Sequence, residues 1–220
     1  MLANEIIVDA IPPIKPTESG EKALMWMDEF KVIHLPVVRG TEYLGVVSDD
    51  LIYDQNNPSV SLEEMKISFN RPFVYADTHL LDVMTLVAQQ NLSIIPVLDK
   101  EENYLGSITL SKLIESFTQT ASIITPGAVV VLEMNKIDYS LAKLAQIAEA
   151  NQCLILGAFV TSEIDSQKIE VTLKLNREEI GGLLHAFNRY EYVVKSFHTH
   201  NQIANTVREN YDALINYLNI

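Results

Sequence analysis

The chain of 220 residues contains an internal repeat, which constrains its fold more than any other feature. Residues 35–38 (LPVV) have their counterpart in residues 95–98 (IPVL), at an offset of 60. Residues 43–48 correspond to residues 104–109 at an offset of 61, so the second copy has one more residue in the intervening turn. Such self-similarity indicates one supersecondary unit that occurs twice and buries its apolar face by packing against its neighbour.

Each copy shows the pattern helix, strand, turn, strand, helix. In the first copy, Ser19 can cap a helix that runs to about Phe30 with an apolar stripe on one face. The other predicted elements are strands at 35–38 and 43–47 and a short helix at 49–53, followed in the second copy by a helix at 80–90, strands at 94–98 and 104–108, and a helix at 110–117. Residues 54–72 join the copies, and their polar turn chemistry predicts a path over the surface.

After a linker at 118–127, the pattern changes to the order β-α-β-β-α-β. The predicted elements are a strand at 128–134, a helix at 140–151, strands at 153–160 and 169–175 around a polar turn at 163–167, a helix at 176–190 and a strand at 192–197. Asn176 and Glu179 have the spacing of a capping box for the second helix. This order is that of the ferredoxin-like split unit, so the predicted fold class is α/β (α+β) in both halves.

Charge and apolar content exclude several classes of protein. The net charge is −13, with 8 basic and 18 acidic residues in 1–126, and such a surface repels polyanions, so we expect no nucleic-acid partner. No apolar run is long enough to cross a bilayer, and the acidic N-terminus does not resemble a secretory signal. The single cysteine, Cys153, lies in an apolar run and suits a reducing compartment, so we expect a cytoplasmic protein with no membrane contact.

No catalytic or metal-binding motif is apparent. The sequence has no Gly-rich phosphate loop with lysine, no dinucleotide fingerprint and no paired-cysteine zinc spacing. His198 and His200 could share one face of a strand, but no third ligand is near them in sequence, and no carboxylate pair lies in an apolar run. We therefore predict that the chain is not an enzyme, holds no metal and has no cofactor.

The two repeats resemble a tandem pair of CBS domains (a Bateman module), on the strength of the Pro-Val strand and the Tyr-Leu-Gly turn-to-strand in both copies. The resemblance places the pair at residues 1–120, with units at about 8–56 and 70–117 packed as a pseudo-symmetric pair. Residues 127–200 resemble an ACT domain by the order of their elements. Residues 201–220 are predicted to form a C-terminal helix with one apolar face, which docks on its own domain or contacts a partner.

In the CBS family, two clefts between the units often bind adenine nucleotides through the motif Gly-x-x-Thr/Ser-x-x-Asp. The resemblance therefore assigns the hydroxyls of Ser48 and Thr109 to ligand binding. The position of the ribose-binding aspartate holds Leu51 in the first copy and Lys112 in the second, while Asp50 is one residue away and is rotated by about 100° on a helix. The alternative is that Ser48 and Thr109 simply cap the helices that follow them.

The resemblance implies further candidates at both sites. On the strands and unit starts that line the clefts, these are His34, Pro36, Tyr75, Ile94 and Pro96. His34 and Pro36 share a strand face, although His34 is also compatible with a plain packing role. In the loop after the first strand of the ACT-like domain, Asn135 and Asp138 could bind an ammonium or a carboxylate, or could merely shape the loop.

These features favour a non-catalytic regulatory module that senses a small molecule and transmits the signal through dimer geometry or a protein partner. The candidate ligands are an adenine nucleotide, S-adenosylmethionine or an amino acid. Since both domain types usually self-associate, the resemblance implies a homodimer. The alternative is a protein-interaction subunit whose CBS ligand sites are vestigial.

Overall fold

A computed structural model describes residues 1–8, 10–55, 57–162 and 166–199 of the chain. The chain divides into two compact units, Met1–Phe117 and a second unit that begins at Thr118. Each unit has its own apolar core.

The first unit contains both repeats, and the first repeat forms the predicted elements. Ser19 caps α1 (Gly20–Phe30) by accepting a hydrogen bond from the amide of Lys22, as predicted. Strand β1 (His34–Arg39) pairs antiparallel with β2 (Glu42–Ser48), and the short helix α2 (Asp49–Tyr53) follows at once.

The second repeat has the same course. Its elements are β3 (Val74–Tyr75), α3 (Leu80–Gln90), β4 (Ile94–Leu98), β5 (Tyr104–Thr109) and α4 (Leu110–Thr120). Strand β4 lies between β3, which is parallel to it, and β5, which is antiparallel. The helix α4 extends three residues beyond the predicted end at 117, so the first residues of the predicted linker are helical.

Each repeat is completed by a segment that precedes the other repeat in the chain. Val8 donates its amide to the carbonyl of Ser107 on β5, and Val46 on β2 donates to the carbonyl of Asn70, both at 2.8 Å. The residues before Val8 pack into the core of the second repeat, where Ala3 and Ile6 are buried beside α3. The repeats therefore exchange their leading segments and form one interlocked unit.

The joining segment contributes to the core of the first repeat, which corrects the prediction that residues 54–72 only cross the surface. Leu62 is fully buried, and Met65, Ile67 and Phe69 pack against the same cluster as β1 and α1. The apolar residues in this stretch are spaced between polar ones, so its burial was masked by its turn-like composition.

Two glycines mark the places where the exchanged segments cross the strands. Gly45 on β2 has φ +148°, and a Cβ there would lie 2.5 Å from the carbonyl oxygen of Asn70. Gly106 on β5 has φ +154°, and its Cβ would lie 2.4 Å from a methyl of Ile7. The glycine of the repeated Tyr-Leu-Gly sequence is thus required by both backbone conformation and close approach.

The second unit has the predicted order of elements. These are β6 (Val129–Asn135), α5 (Leu141–Ala150), β7 (Ile155–Thr161), β8 (Lys168–Leu175), α6 (Gly181–Arg189) and β9 (Val193–His198). The strands form an antiparallel sheet in the order β7-β8-β6-β9. One face of the sheet is buried beneath the helices, with Val130, Leu132, Leu173 and Phe187 in the core.

The predicted capping box at Asn176 and Glu179 is wrong. Helix α6 begins at Gly181 and is preceded by Ile180, which makes no side-chain capping bond. The Asn176 side chain instead accepts the amide of Leu154 at 2.8 Å and ties the start of β7 to the end of β8. Ser140 does cap α5, through the amide of Lys143. The helix predicted at 201–220 and most of the turn at 163–167 lie outside the described residues.

Within the described ranges, no helix combines the length and the apolar character needed to traverse a bilayer.

Candidate functional site

The candidate site lies where the two repeats meet at the beginning of β1 and β4. In the strand registers, His34 is opposite Ser48 and Ile94 is opposite Thr109. Strands β1 and β4 also pack against each other. The equivalent ends of the two repeats, each with its hydroxyl-bearing motif, therefore converge on one region that we call the junction: Ile33, His34, Ser48, Ser93, Ile94 and Thr109.

Ser93 links the repeats directly, although the sequence analysis did not single it out. Its hydroxyl oxygen accepts the amide of Ile33 at 3.0 Å and lies 3.1 Å from Nδ1 of His34. Its own amide donates to the same Nδ1 at 3.3 Å. At the repeat offset of 60, Ser93 is the counterpart of Ile33. The second copy therefore has a polar residue where the first copy has an apolar one, and this difference is the sequence signal that indicates a role for Ser93.

These contacts fix the proton on the His34 ring. A backbone amide can only donate, so Nδ1 must present its lone pair to Ser93, and the neutral ring carries its proton on Nε2. Burial lowers the pKa of His34, while the carboxylates of Asp49 and Asp50 on α2 oppose this effect. The ring is therefore held neutral near physiological pH, with Nε2 as a hydrogen-bond donor.

Both motif hydroxyls act as helix caps, as the alternative interpretation predicted. The Ser48 hydroxyl accepts the amide of Leu51 at 3.2 Å, and the Thr109 hydroxyl accepts the amide of Lys112 at 3.1 Å. A hydroxyl has two lone pairs and one proton, so after capping each of these hydroxyls can still accept one hydrogen bond and donate one.

The residues at the family's aspartate position are engaged elsewhere. Leu51 packs against the core of the first repeat. The Lys112 ammonium contacts the Glu115 carboxylate at 3.0 Å, one turn further along α4. Asp50 is exposed on α2, where its amide is bound by the side chain of Asp49. The arrangement offers no carboxylate at either of the two motif positions.

The remaining cleft candidates are distributed between two ends of the unit. Pro36 and Pro96 are buried within β1 and β4, and Ile94 is 1% exposed in the core of the first repeat. Tyr75 is 39% exposed and lies beside Leu98, at the opposite end of β4 from Ile94. The structure thus brings His34, Ser48 and Thr109 to the junction, but it does not bring Tyr75 there.

Tyr75 belongs to an aromatic cluster at the hairpin turns of the two repeats. The equivalent residues Tyr43 and Tyr104 stack with ring centroids 6.5 Å apart, and Phe73 contacts both Tyr43 and Tyr75 edge to face. The Tyr43 hydroxyl donates to the carbonyl of Pro72 at 2.6 Å, and burial raises the pKa of Tyr104 to about 12. A shallow groove at this end is lined by acidic residues and Arg71, which pairs with Glu102.

In the second unit, Asn135 at the end of β6 comes together with Asp138 in the segment that leads to α5. The Asn135 amide donates to the Asp138 carboxylate at 2.9 Å, and both residues are exposed. They border a groove of about 410 Å³ that also contains Lys143, whose ammonium lies 5.5 Å from the centre of the Tyr192 ring and 5.8 Å from that of Tyr190. The groove presents groups of both charge signs together with aromatic surface.

Among the described residues, no group of three or more His, Cys, Asp or Glu side chains is arranged to hold a metal ion. His198 ends β9, whereas His200 lies outside the described part of the chain. Cys153 is buried, and burial raises the pKa of its thiol.

Comparisons with known proteins give the following likenesses. A CBS domain pair/ACT domain protein from Thermotoga maritima is 19% identical, with coverage of 54% of this chain and 98% of that chain and a TM-score of 0.49. CBSX2, solved in complex with AMP, is 22% identical, with coverage of 54% and 96% and a TM-score of 0.45. The CBS domains of a transcriptional regulator from Streptococcus pneumoniae are 17% identical, with coverage of 52% and 98% and a TM-score of 0.46.

The sequence model of one protein family matches part of the chain. The match covers residues 66–118, which comprise the second repeat and the end of the segment that joins it to the first. This model is that of the CBS domain, to which residues 66–118 are therefore similar.

Proposed function

We propose that residues 1–117 act as one tandem CBS module that senses a small molecule and has a regulatory role without catalysis by this chain. The observation that carries the proposal is the junction, where the equivalent ends of both repeats meet through His34 and Ser93. A ligand that contacts this region would touch elements of both repeats at once, so its binding energy could favour one relative arrangement of the repeats over another.

The junction offers a specific set of polar groups. His34 contributes a donor at Nε2, and the hydroxyls of Ser48 and Thr109 keep one lone pair and a proton beyond their capping bonds. These groups suit a neutral or weakly polar head group, and the absence of a carboxylate at Leu51 and Lys112 argues against a nucleotide held by its ribose hydroxyls. An adenine base or S-adenosylmethionine held by other contacts, or an amino acid, remains compatible with this set.

Thermal denaturation tests this proposal directly. We would measure the melting temperature of the full chain with AMP, ATP, S-adenosylmethionine and the common amino acids at millimolar concentration. A ligand present at 100 times its Kd stabilises the folded state by about 2.7 kcal/mol, which is a readily measured shift. If none of these compounds shifts the melting temperature, the sensing proposal fails for these ligand classes.

Variants then locate the ligand. Ser48→Ala and Thr109→Ala each remove a helix cap and should lower stability by about 1 kcal/mol even without a ligand. The informative quantity is therefore the shift caused by the ligand, which should shrink in these variants if the hydroxyls bind it. Ser140→Ala is the matched control, because it removes a similar cap on α5 in the second unit and should leave the shift unchanged.

We further propose that residues 127–200 form an ACT-like domain of ferredoxin type. The strand order β7-β8-β6-β9, with both helices on one face, supports the assignment. Asn135 and Asp138 would then contribute to an amino-acid site, since an Asp138 carboxylate suits an ammonium and the nearby Lys143 suits a carboxylate. Asp138→Asn should reduce the shift given by an amino acid and spare one given by a nucleotide.

The second candidate function is a protein-interaction subunit with vestigial ligand sites. Two observations favour it: both motif hydroxyls already cap helices, and Pro36, Ile94 and Pro96 are buried. This function predicts no ligand-dependent shift in any variant, together with assembly into a homodimer or a complex with a partner in the cytoplasm. A mass near 24.7 kDa by light scattering at micromolar concentration would contradict the homodimer.

A further inference from the structure

We propose that His34 makes the contact between the two repeats sensitive to protonation, so that the junction responds to pH as well as to any ligand. This inference goes beyond small-molecule sensing, because it depends on the bonds between His34 and Ser93 and holds whether or not a ligand binds. It concerns a bond that crosses from one repeat to the other, 59 residues apart in the chain.

The ring nitrogen Nδ1 of His34 is the acceptor that joins the two repeats. Nδ1 of His34 receives the amide of Ser93 at 3.3 Å and lies 3.1 Å from its hydroxyl oxygen. The same hydroxyl oxygen accepts the amide of Ile33 at 3.0 Å, so the hydroxyl proton is directed towards Nδ1. In the neutral ring, Nδ1 therefore accepts hydrogen bonds from both Ser93 donors, the backbone amide and the hydroxyl.

A proton on Nδ1 of His34 would break part of this contact. Protonation converts Nδ1 into a donor, which then faces the Ser93 amide, another donor. The hydroxyl of Ser93 can rotate and accept the new proton, but the amide cannot, so one bond between the repeats is lost. An amide that loses its partner in a partly buried place destabilises the arrangement that held it, so protonation would shift the population from one arrangement of the repeats to another.

The charged groups near His34 affect how readily its ring is protonated. Asp49 and Asp50 on α2 are the charged groups that act on His34, and both favour the protonated form. Two neutral residues also lie beside His34 in the part of the chain that the structure describes: Ser48, opposite it in the strand register, and Ser93 from the second repeat. Burial opposes the two carboxylates and lowers the pKa of the ring, so the neutral form is favoured in the folded protein.

The lowered pKa of His34 fixes the direction in which the free energy of unfolding changes with pH. In the unfolded chain, the ring takes up its proton near pH 6.5, whereas the folded protein resists protonation until a lower pH. The unfolded state therefore binds more protons in the interval between the two values, and stability falls as the pH is lowered through this interval. At a pH above 7 the contact is intact and contributes fully.

The decisive measurement is an NMR titration of the full chain labelled with ¹⁵N. We expect the His34 ring to titrate with a midpoint below 6.5, and the Ser93 amide signal to shift with the same midpoint. The protection factor of the Ser93 amide, which is its exchange rate compared with the intrinsic rate at the same pH, should fall as the ring is protonated. A midpoint at or above 6.5, or a Ser93 amide that does not follow the ring, would overturn the proposal.

Variants give a second, independent test through melting temperature. His34→Asn keeps a side-chain acceptor on the same strand position without a group that titrates, so the difference in melting temperature between wild type and variant should change between pH 7.5 and pH 5.5. His185→Gln is the control, since His185 is exposed on α6 in the second unit, and it should leave this pH dependence as in the wild type. Parallel pH profiles for wild type and His34→Asn would refute the inference.

Discussion

The N-terminal segment provides the strongest test of the interlocked architecture. Ile6 is 3% exposed and lies in the core of the second repeat with Leu80 and Val83 of α3, although it precedes the first repeat in sequence. Ile6→Ala removes three carbon atoms, which at about 0.8 kcal/mol per buried CH₂ is a loss of about 2.4 kcal/mol. The cavity left behind adds to this loss, so we expect a destabilisation of about 3 kcal/mol.

Urea denaturation followed by tryptophan fluorescence measures this effect. The single tryptophan, Trp26, lies on α1 in the first repeat, so it reports unfolding of the repeat that does not contain the mutated contact. If the repeats unfold together, the Trp26 transition should move to lower urea and the melting temperature should fall by roughly 10 °C.

The control for this experiment is Leu2→Ala in the same segment. Leu2 is 37% exposed, and its truncation should cost less than about 1 kcal/mol. The reasoning would be refuted if Ile6→Ala were no more destabilising than Leu2→Ala, or if circular dichroism detected a loss of stability while the Trp26 transition stayed in place. The second result would mean that the repeats are separate folding units.

Three other predictions concern the first unit. A fragment of residues 66–118, the range matched by the CBS model, should lack a cooperative thermal transition, whereas residues 1–117 should have one, because the fragment lacks the buried Ala3 and Ile6. Gly45→Ala should lower the free energy of unfolding in urea by roughly 2–3 kcal/mol, because the added Cβ meets the Asn70 carbonyl. Gly40 has φ +66° and open space around it, so Gly40→Ala should lower the same free energy by only about 1 kcal/mol. Hydrogen bonds from the Asn103 side chain and amide hold the pKa of the Asp99 carboxyl below its usual value. Wild type should therefore be more stable than Asn103→Ala at pH 7. The difference in melting temperature between the two proteins should shrink as the pH falls below about 4, where Asp99 is protonated in the unfolded chain.

Local signals explain which parts of the fold could be predicted. Ser19 and Ser140 precede helices whose apolar residues recur at helical spacing, and both helices begin where the caps indicated. The repeat supplied the bounds of α3 and β4 because the second copy confirmed the first. By contrast, Asn176 stands three residues before Glu179, as in a capping box, but its side chain binds the amide of Leu154 across the sheet. These two residues are 22 positions apart, so no local sequence pattern indicates their contact.

The junction illustrates the same limit for the site. The resemblance to CBS domains pointed to Ser48 and Thr109 by their place in the repeated motif and to His34 by its place on the strand that lines the cleft. The strand registers bring all three to one end of the unit. Ser93 was missed because its role depends on the packing of one repeat against the other, which sets a bond between residues 59 positions apart. A repeat comparison that asks where the two copies differ in polarity, rather than where they agree, would have found it.

The exchange of leading segments bears on how a signal at the junction would spread. Strands β2 and β5 are each crossed by a segment that belongs in sequence to the other repeat, with the crossing points fixed by Gly45 and Gly106. We expect a change in the distance between the repeats at His34 and Ser93 to act also on the bonds of Val8 to Ser107 and of Val46 to Asn70. Because close-packed protein interiors transmit strain, a ligand or a proton at the junction would act on both repeats together. This coupling is a reason to expect that the functional unit is the whole of residues 1–117 and not residues 66–118 alone.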